Sequence, residues 1–388
     1  MTEMVYGSNP VRVTEPVLPR WWRTIDKWTL SAVFVLFGLG LLLGLAASVP
    51  LATRNGLEPF YYVQKQAIFG GVGLATMIAV SMMTPETVRR LGVVGFVFAL
   101  ILVMALPLIG QDHGKGAIRW LSIGGFSLQP SEFLKPAFVV VSAWLMAASQ
   151  QVNGPPGKLM SFGLACLVVG FLAMQPDFGQ AALVLFAWGV IYFVAGAPMV
   201  LIVGVGGLVA AGGMVAYSAS EHFARRIDGF LSPDVDPRTQ LGYAANAIQE
   251  GGFFGVGVGE GQVKWSLPDA HTDFIIAVAA EEYGLILVLI ILAIYALIVV
   301  RSLIRLMRER DPFTRLAGAG LACVFGVQAM INMGVAVRLL PAKGMTLPFV
   351  SYGGSSLIAA GITVGALLAM TRSRPRDQMS QVFKRGGR

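Results

Sequence analysis

Apolar stretches long enough to cross a bilayer recur along almost the whole chain, at 28–51, 64–83, 91–110, 133–149, 159–175, 180–196, 198–218, 274–300, 316–337 and 354–371. A hydrocarbon layer of about 30 Å is crossed by about 20 such residues in a helix. Lipid offers no hydrogen-bond partners, so the backbone inside it must satisfy itself, and runs of this length do so as α-helices. The expected fold is an all-α polytopic membrane protein of about ten transmembrane helices. Composition agrees, with 55% hydrophobic and only 13% charged residues, against roughly one-quarter charged in a soluble domain.

Arg20, Arg23 and Lys27 precede the first run as they would in a signal peptide, but its about 24 apolar residues exceed the about 7–15 of a cleavable core, which makes it a retained anchor. With the N-terminus in the cytoplasm, 18 of the 29 Lys and Arg residues fall inside, as the positive-inside rule requires, and the C-terminus is cytoplasmic too. The organisation reads as a cytoplasmic tail (1–27), a membrane domain (28–371) and a basic cytoplasmic tail (372–388), with both tails mobile. One large extracytoplasmic loop covers 219–273; shorter outer loops cover 111–132 and 338–353. The pI near 9.7 does not indicate nucleic acid, because the basic residues are scattered instead of forming a stripe. Cys166 and Cys323 lie inside spans and read as buried apolar fillers.

The segment Ser266 to Gly284, SLPDAHTDFIIAVAAEEYG, carries most of the chemistry. Asp273 stands at the mouth of the eighth span, and Glu281 and Glu282 lie within it, where a carboxylate costs roughly 2.5–3.5 kcal/mol at the helix centre. Asp273 and Glu281 fall about 12 Å apart along a helix axis and within about 80° of each other. With Ala277, Ala280 and Gly284 between or beside them, that face reads as the wall of a polar cavity. The blander assignments make Asp273 a helix N-cap and the two glutamates structural partners of basic side chains. Arg119, Lys135, Arg225, Arg226, Arg338 and Lys343 offer cations to a phosphorylated lipid headgroup, although each also suits an interfacial position. His113, His222 and His271 lack metal-site spacing, and Ser131, Ser351, Ser355 and Ser356 lack a His–Asp relay. The run Gly251 to Gly261 contains GxGxG without the strand and helix of a dinucleotide site, and reads as a compact turn.

Five stretches together resemble one family: GAIRWLSIGGFSLQPSEFLKP (116–136), QPDFG (175–179), RRIDGFLSPDVDP (225–237), IQEGGFFGVGVGEGQVKWSLPDAHTDFIIAVAAEEYG (248–284) and LLPAKGMTLPFVSYGGSS (339–356). They are similar to the SEDS family (shape, elongation, division and sporulation) of bacterial cell-wall polymerases, in order and over nearly the whole chain. The wording around 340–357 is nearer the division branch than the elongation branch. Departures include Lys115-Gly116 in the first outer loop, Thr239-Gln240 ahead of the glycine run, and VAAEEYG in span eight.

The resemblance implies an inverting peptidoglycan glycosyltransferase that polymerises lipid II outside the bacterial inner membrane, at the division septum. It places the family's essential aspartate, in the TDF motif, at Asp273. A diphosphate leaves already anionic, so one base for the acceptor hydroxyl plus cations suffices, without the paired carboxylates of a glycosidase. On this view Asp273 takes the proton from the GlcNAc 4-hydroxyl, Arg119, Lys135, Arg225, Arg338 and Lys343 hold oxygens of the substrate, and Glu281 and Ser351 also contact it. A divalent cation, Mg2+ or Mn2+, is implied without an assignable ligand set, and no organic cofactor. The implied partners are lipid II, a class B penicillin-binding transpeptidase and divisome regulators, with the small residues Gly318, Gly320, Ala322 and Gly326 as a candidate helix-packing face. The alternatives are a lipid II flippase using Glu281 and Glu282, an elongation-type polymerase, and a scaffold for the transpeptidase.

Overall fold

The computed structural model describes residues 16–110, 119–123, 126–219, 221–231, 239–267, 269–341 and 344–373. Lys343, His113, the Lys115-Gly116 pair and the side chains of His222 and Arg226 lie outside this description. Ten helices coincide with the ten apolar runs: α2 (Lys27–Arg54), α3 (Tyr61–Ser81), α4 (Pro85–Ile109), α5 (Pro130–Ala148), α6 (Gly157–Met174), α7 (Phe178–Val194), α8 (Met199–Ala219), α11 (Ile275–Leu306), α12 (Pro312–Ala336) and α13 (Gly354–Thr371). Eight of the described helices are long and apolar enough to cross a membrane; α7, with 17 residues, is apolar but shorter. The others are α1 (Val17–Thr24), α9 (Glu221–Leu231) and α10 (Gln240–Gly251), and a short hairpin pairs β1 (Leu121–Ile123) with β2 (Phe126–Leu128).

Two apolar clusters form the core, one around α2, α3, α10 and α11, the other around α4 to α7. Residues of α12 and α13 belong to both, so these helices are the centre of the bundle. Glycines let them approach their neighbours closely, the main packing device where lipid removes the hydrophobic drive between helices. A Cβ on Gly361 of α13 would stand 2.2 Å from the Gly73 carbonyl oxygen of α3. The small-residue face of α12 is spent in the same way. Gly318 meets Leu306, Gly320 meets Ile191 and Val139, and Gly326 meets Val299, so this face is internal packing and is closed to a partner helix.

The sequence expectations need three further corrections. Cys166 is exposed and Cys323 half-buried, so neither is a buried filler. Within the tail expected to be mobile, α1 anchors Trp21, whose indole N–H donates to Ser81 Oγ at 2.9 Å; the exposed Val17, Leu18 and Trp22 give it an apolar flank suited to a membrane surface. The loop expected outside at 338–353 dips back into the bundle, with Leu347, Phe349 and Val350 fully buried. Its irregular backbone is satisfied there by Gln66 Nε2, which donates to Val350 O at 2.9 Å, and by the Tyr295 hydroxyl, which donates to Pro348 O. Protein burial of this kind is what makes non-helical backbone tolerable at membrane depth.

The loops sort to the two ends of the bundle. At one, Arg301 and Arg305 near the end of α11 bind Asp26 before α2, and Arg372 after α13 donates to the carbonyls of Ser81 and Met82 at the end of α3. The other gathers the β-hairpin, the 239–274 segment and the re-entrant loop.

Candidate functional site

At that second end a tight turn presents Asp273. Asp269, in the left-handed region at φ +55°, turns its carbonyl towards the N–H groups of Thr272, Asp273 and Phe274 at 3.1, 3.0 and 3.4 Å. Helix α11 starts only at Ile275, with Phe274 in the capping position and no side-chain cap. Asp273 is therefore not a helix cap. Asp273 is partly exposed, and its carboxylate stands beside Gly344, where a Cβ would come within 3.2 Å of Oδ2. Asn332 Nδ2 on α12 holds the main chain in place by donating to Asp273 O at 3.0 Å and to Met345 O at 2.6 Å. Two residues before Asp273, the His271 ring meets those of Tyr62 and Tyr352 at 5.3 and 5.5 Å. Burial holds the Tyr352 phenol above its ordinary range, against the opposing pull of Lys65, so it stays neutral.

From Asn332 a ladder of buried polar groups crosses the bundle. Gln328, one turn earlier on α12, donates to Thr346 O at 3.1 Å and accepts from Lys135 Nζ at 2.7 Å. Lys135 pairs with Glu132 at 2.9 Å, and Gln180 donates to the other oxygen of Glu132 at 2.7 Å. Both charges of this pair are almost fully enclosed, 3% and 5% exposed. Buried ions are tolerable only when paired and further hydrogen-bonded, and the two glutamines supply those bonds. Nearby, Gln129 Nε2 reaches Asp177 Oδ2 at 3.5 Å, and Arg119 lies 3.8 Å from the other oxygen of Asp177. Arg119 also donates to Gln175 O at 3.2 Å and to Pro176 O. Burial raises the Asp177 carboxyl above its ordinary range, and the Arg119 charge only partly offsets this.

The glycine run is a clamp on α11. At Gly284 the helix breaks (φ +78°, ψ −179°), which leaves carbonyls before the break and N–H groups after it without helical partners. Val256 N and Gly257 N donate to Glu281 O and Glu282 O at 2.9 and 3.2 Å, while Leu285 N and Ile286 N donate to Gly252 O and Phe253 O at 3.0 and 3.4 Å. Only glycine permits this backbone contact. A Cβ would stand 2.2 Å from Glu282 O at Gly255, which also has φ +80°, and 1.9 Å from Ala280 O at Gly251. Side chains complete the clamp. Glu281 accepts from Val263 N at 2.7 Å and Lys264 N at 3.1 Å, and Glu282 pairs with Lys264 Nζ.

This geometry corrects the expected cavity wall. Ala277, Ala280 and Glu281 are buried on every side, and Glu281 holds backbone amides with both oxygens instead of facing a substrate. Depth changes as well: from Arg301 back to Glu281 the helix rises about 30 Å, a full hydrocarbon thickness. The two glutamates therefore sit at a bundle end, not at the membrane centre. Ser351 is buried too, its Oγ accepting from Leu347 N at 3.0 Å inside the re-entrant turn. Arg338 is half-buried just past α12, and Arg225 is exposed on α9. The structure thus joins Asp273, Lys135 and Arg119 to one polar system through residues the sequence reading did not single out: Gln129, Glu132, Asp177, Gln180, Gln328 and Asn332. Their signal was present as amides and acids inside or beside apolar runs, where polar side chains are costly. The Thr239-Gln240 departure also acquires a place: Thr239 caps α10 by accepting from Gly242 N at 3.1 Å, and Gln240 reaches Asp269 at 3.5 Å.

Fold and site together define a multi-pass helical membrane protein whose polar chemistry converges at one end of the bundle on a turn carrying a partly exposed aspartate. Residues 27–376 match the FtsW/RodA/SpoVE family of cell cycle proteins, and the chain belongs to this family. It is 43% identical, over 94% of its length and 93% of the relative's, to the probable peptidoglycan glycosyltransferase FtsW of Caulobacter vibrioides, and 36% identical, over 88% and 92%, to that of Trichlorobacter lovleyi. Among solved structures it superposes on a chain of a peptidoglycan synthase complex that coordinates polymerization and crosslinking (TM-score 0.74, 27% identity, 89% of this chain and 97% of that one). It also superposes on the rod shape determining protein RodA of Thermus thermophilus (TM-score 0.67, 27% identity, 90% and 97%).

Proposed function

We propose that this protein is a peptidoglycan glycosyltransferase that joins lipid II units into glycan strands at the outer face of the inner membrane during septal synthesis, with Asp273 as its base. The observation that carries this reading is the Asp273 turn. Its main chain is fixed by Asp269 and Asn332, and the residue is partly exposed, with Oδ2 against Gly344 of the loop that follows α12. The acceptor's GlcNAc 4-hydroxyl attacks the donor's anomeric carbon, the bond from that carbon to the diphosphate oxygen breaks, and Asp273 receives the hydroxyl proton. The lipid diphosphate leaves as an anion and needs cations, not a proton donor. Arg338, half-buried just past α12, fills that role best; Lys343, expected from the sequence to share it, lies outside the described residues. Arg119 and Lys135 act at one remove, because their bonds hold the 175–177 turn and the buried ladder. Arg225 meets the diphosphate from the exposed side of α9.

Among the described residues no three or more His, Cys, Asp and Glu side chains converge as a metal site. A Mg2+ or Mn2+ ion held by one carboxylate and the substrate diphosphate needs no such cluster; Asp273 would be that carboxylate, the ion would share the diphosphate charge, and no step above is routed through it. Glu281 and Glu282, which would have lined a flippase pathway, are fixed in the clamp, so polymerisation is preferred to transport. By likeness to the synthase complex, the partner is a transpeptidase of the class B penicillin-binding type, with divisome regulators acting on the pair. The large loop faces outwards and both termini are cytoplasmic.

The test is gel-resolved glycan from labelled lipid II with the purified protein and its partner. Asp273→Asn is expected to preserve insertion and lipid II binding while lowering polymer yield by about 10²–10⁴-fold, the usual worth of a general base. Near-normal polymer from that variant would remove Asp273 from the chemistry.

A further inference from the structure

The end of the bundle opposite Asp273 holds a cavity of about 920 Å3 between α11 and the end of α13. Arg301, Arg305, Arg308 and Arg372 line its polar rim, and Ala293, Ala296, Leu297 and Val300 form an apolar wall running along α11 from that rim. The acids close to these arginines do not balance them. Asp26, 1% exposed, is gripped by the Nε atoms of both Arg301 and Arg305 at 2.8 and 3.1 Å. Glu309 turns its carboxylate onto the N–H groups of Arg310 and Asp311 at 2.9 and 3.1 Å. Among the described residues, four guanidinium groups therefore meet two carboxylates. Because Arg301 binds Asp26 through Nε, its terminal nitrogens bond to nothing among the described residues, and the exposed side chain of Arg308 likewise has no partner there.

A basic rim above an apolar wall matches one kind of molecule that a membrane protein meets at every interface. We propose that this cavity binds an anionic glycerophospholipid, with its phosphodiester between Arg301 and Arg308 and an acyl chain lying along Leu297 and Ala293. The phosphate supplies acceptors for the guanidinium groups left over by Asp26, and the chain covers the apolar wall; basic pockets between membrane helices take such headgroups. The protein's own C-terminal tail is the wrong occupant, because Arg374, Arg376, Lys384, Arg385 and Arg388 outnumber its single acid, Asp377. The site is separate from the Asp273 turn and stands whether or not the polymerase reading does.

The experiment is native mass spectrometry of the full-length protein released from detergent containing equal amounts of phosphatidylglycerol and phosphatidylethanolamine. Thermal unfolding is measured alongside, with each lipid or with inorganic phosphate added. Parent protein is expected to retain phosphatidylglycerol preferentially and to be stabilised by it, and not by phosphatidylethanolamine or phosphate. Arg308→Gln, which touches no internal ion pair, is expected to weaken that retention about fivefold, at about 1 kcal/mol per basic residue near a lipid phosphate. Arg301→Gln should do at least as much. Equal retention of the two lipids, parent-like retention by Arg308→Gln, or equal stabilisation by free phosphate would each overturn the proposal.

Discussion

Lys264 is the most severe test of the clamp. Among the described residues its ammonium is the one hydrogen-bond partner of the Glu282 carboxylate, whose Oε2 is buried without one there, and the two side chains are 6% and 0% exposed. Lys264→Met keeps the length and apolar stem but strands a buried negative charge. Breaking a buried pair from one side costs about 3–5 kcal/mol, which for a chain of 388 residues corresponds to a fall in melting temperature of roughly 4–6 °C. The double variant Lys264→Met with Glu282→Met removes both charges and should recover most of that loss, since well-packed apolar residues often replace a buried pair without penalty. Thermal unfolding of the four proteins in detergent closes the cycle. Polymer yield should follow stability in the single variant and return in the double one, because the clamp acts on the Asp273 turn through the 261–273 segment. A loss below about 1 kcal/mol for Lys264→Met, the range of an exposed pair, would refute the claim that this bond is buried and holds the loop.

Three further outcomes follow from the geometry. Gly284→Ala should abolish accumulation of folded protein, measured as the monodisperse fraction in size-exclusion chromatography, since the φ of +78° and a Cβ 2.2 Å from Phe253 O penalise it together. Asn332→Ala removes the donor shared by Asp273 O and Met345 O; polymer yield per folded protein should drop on the order of ten- to a hundredfold through misplacement of the base, with lipid II binding retained. Asp177 carries a raised carboxyl value, so ionising it works against the folded state, and protonation relieves that cost. Between about pH 7 and about pH 4 the melting temperature of the parent should therefore rise relative to Asp177→Asn, and a constant difference would contradict burial as the dominant cause.

The sequence alone determined the helical class and the positions of all ten apolar helices, and it singled out the Asp273 turn as the site to test. Each rests on a local pattern: run length sets a membrane helix, and a short polar motif at the mouth of an apolar run marks an ionisable turn where few are tolerated. The roles of Glu281, Ser351, the glycine run and the 338–353 loop were decided only by tertiary structure. Helical spacing put Glu281 on one face with Asp273, yet Asp273 lies in the turn before α11, and what a buried carboxylate does depends on which donors reach it. Here they are Val263 and Lys264, brought back by a loop that glycines allow to lie against the broken helix. The ladder from Asn332 through Gln328 and Lys135 to Glu132 likewise joins α12 to α5 across the bundle. No local period encodes such pairings, because they are set by how the helices pack against one another and by the need of each buried polar group to find a partner once water is gone.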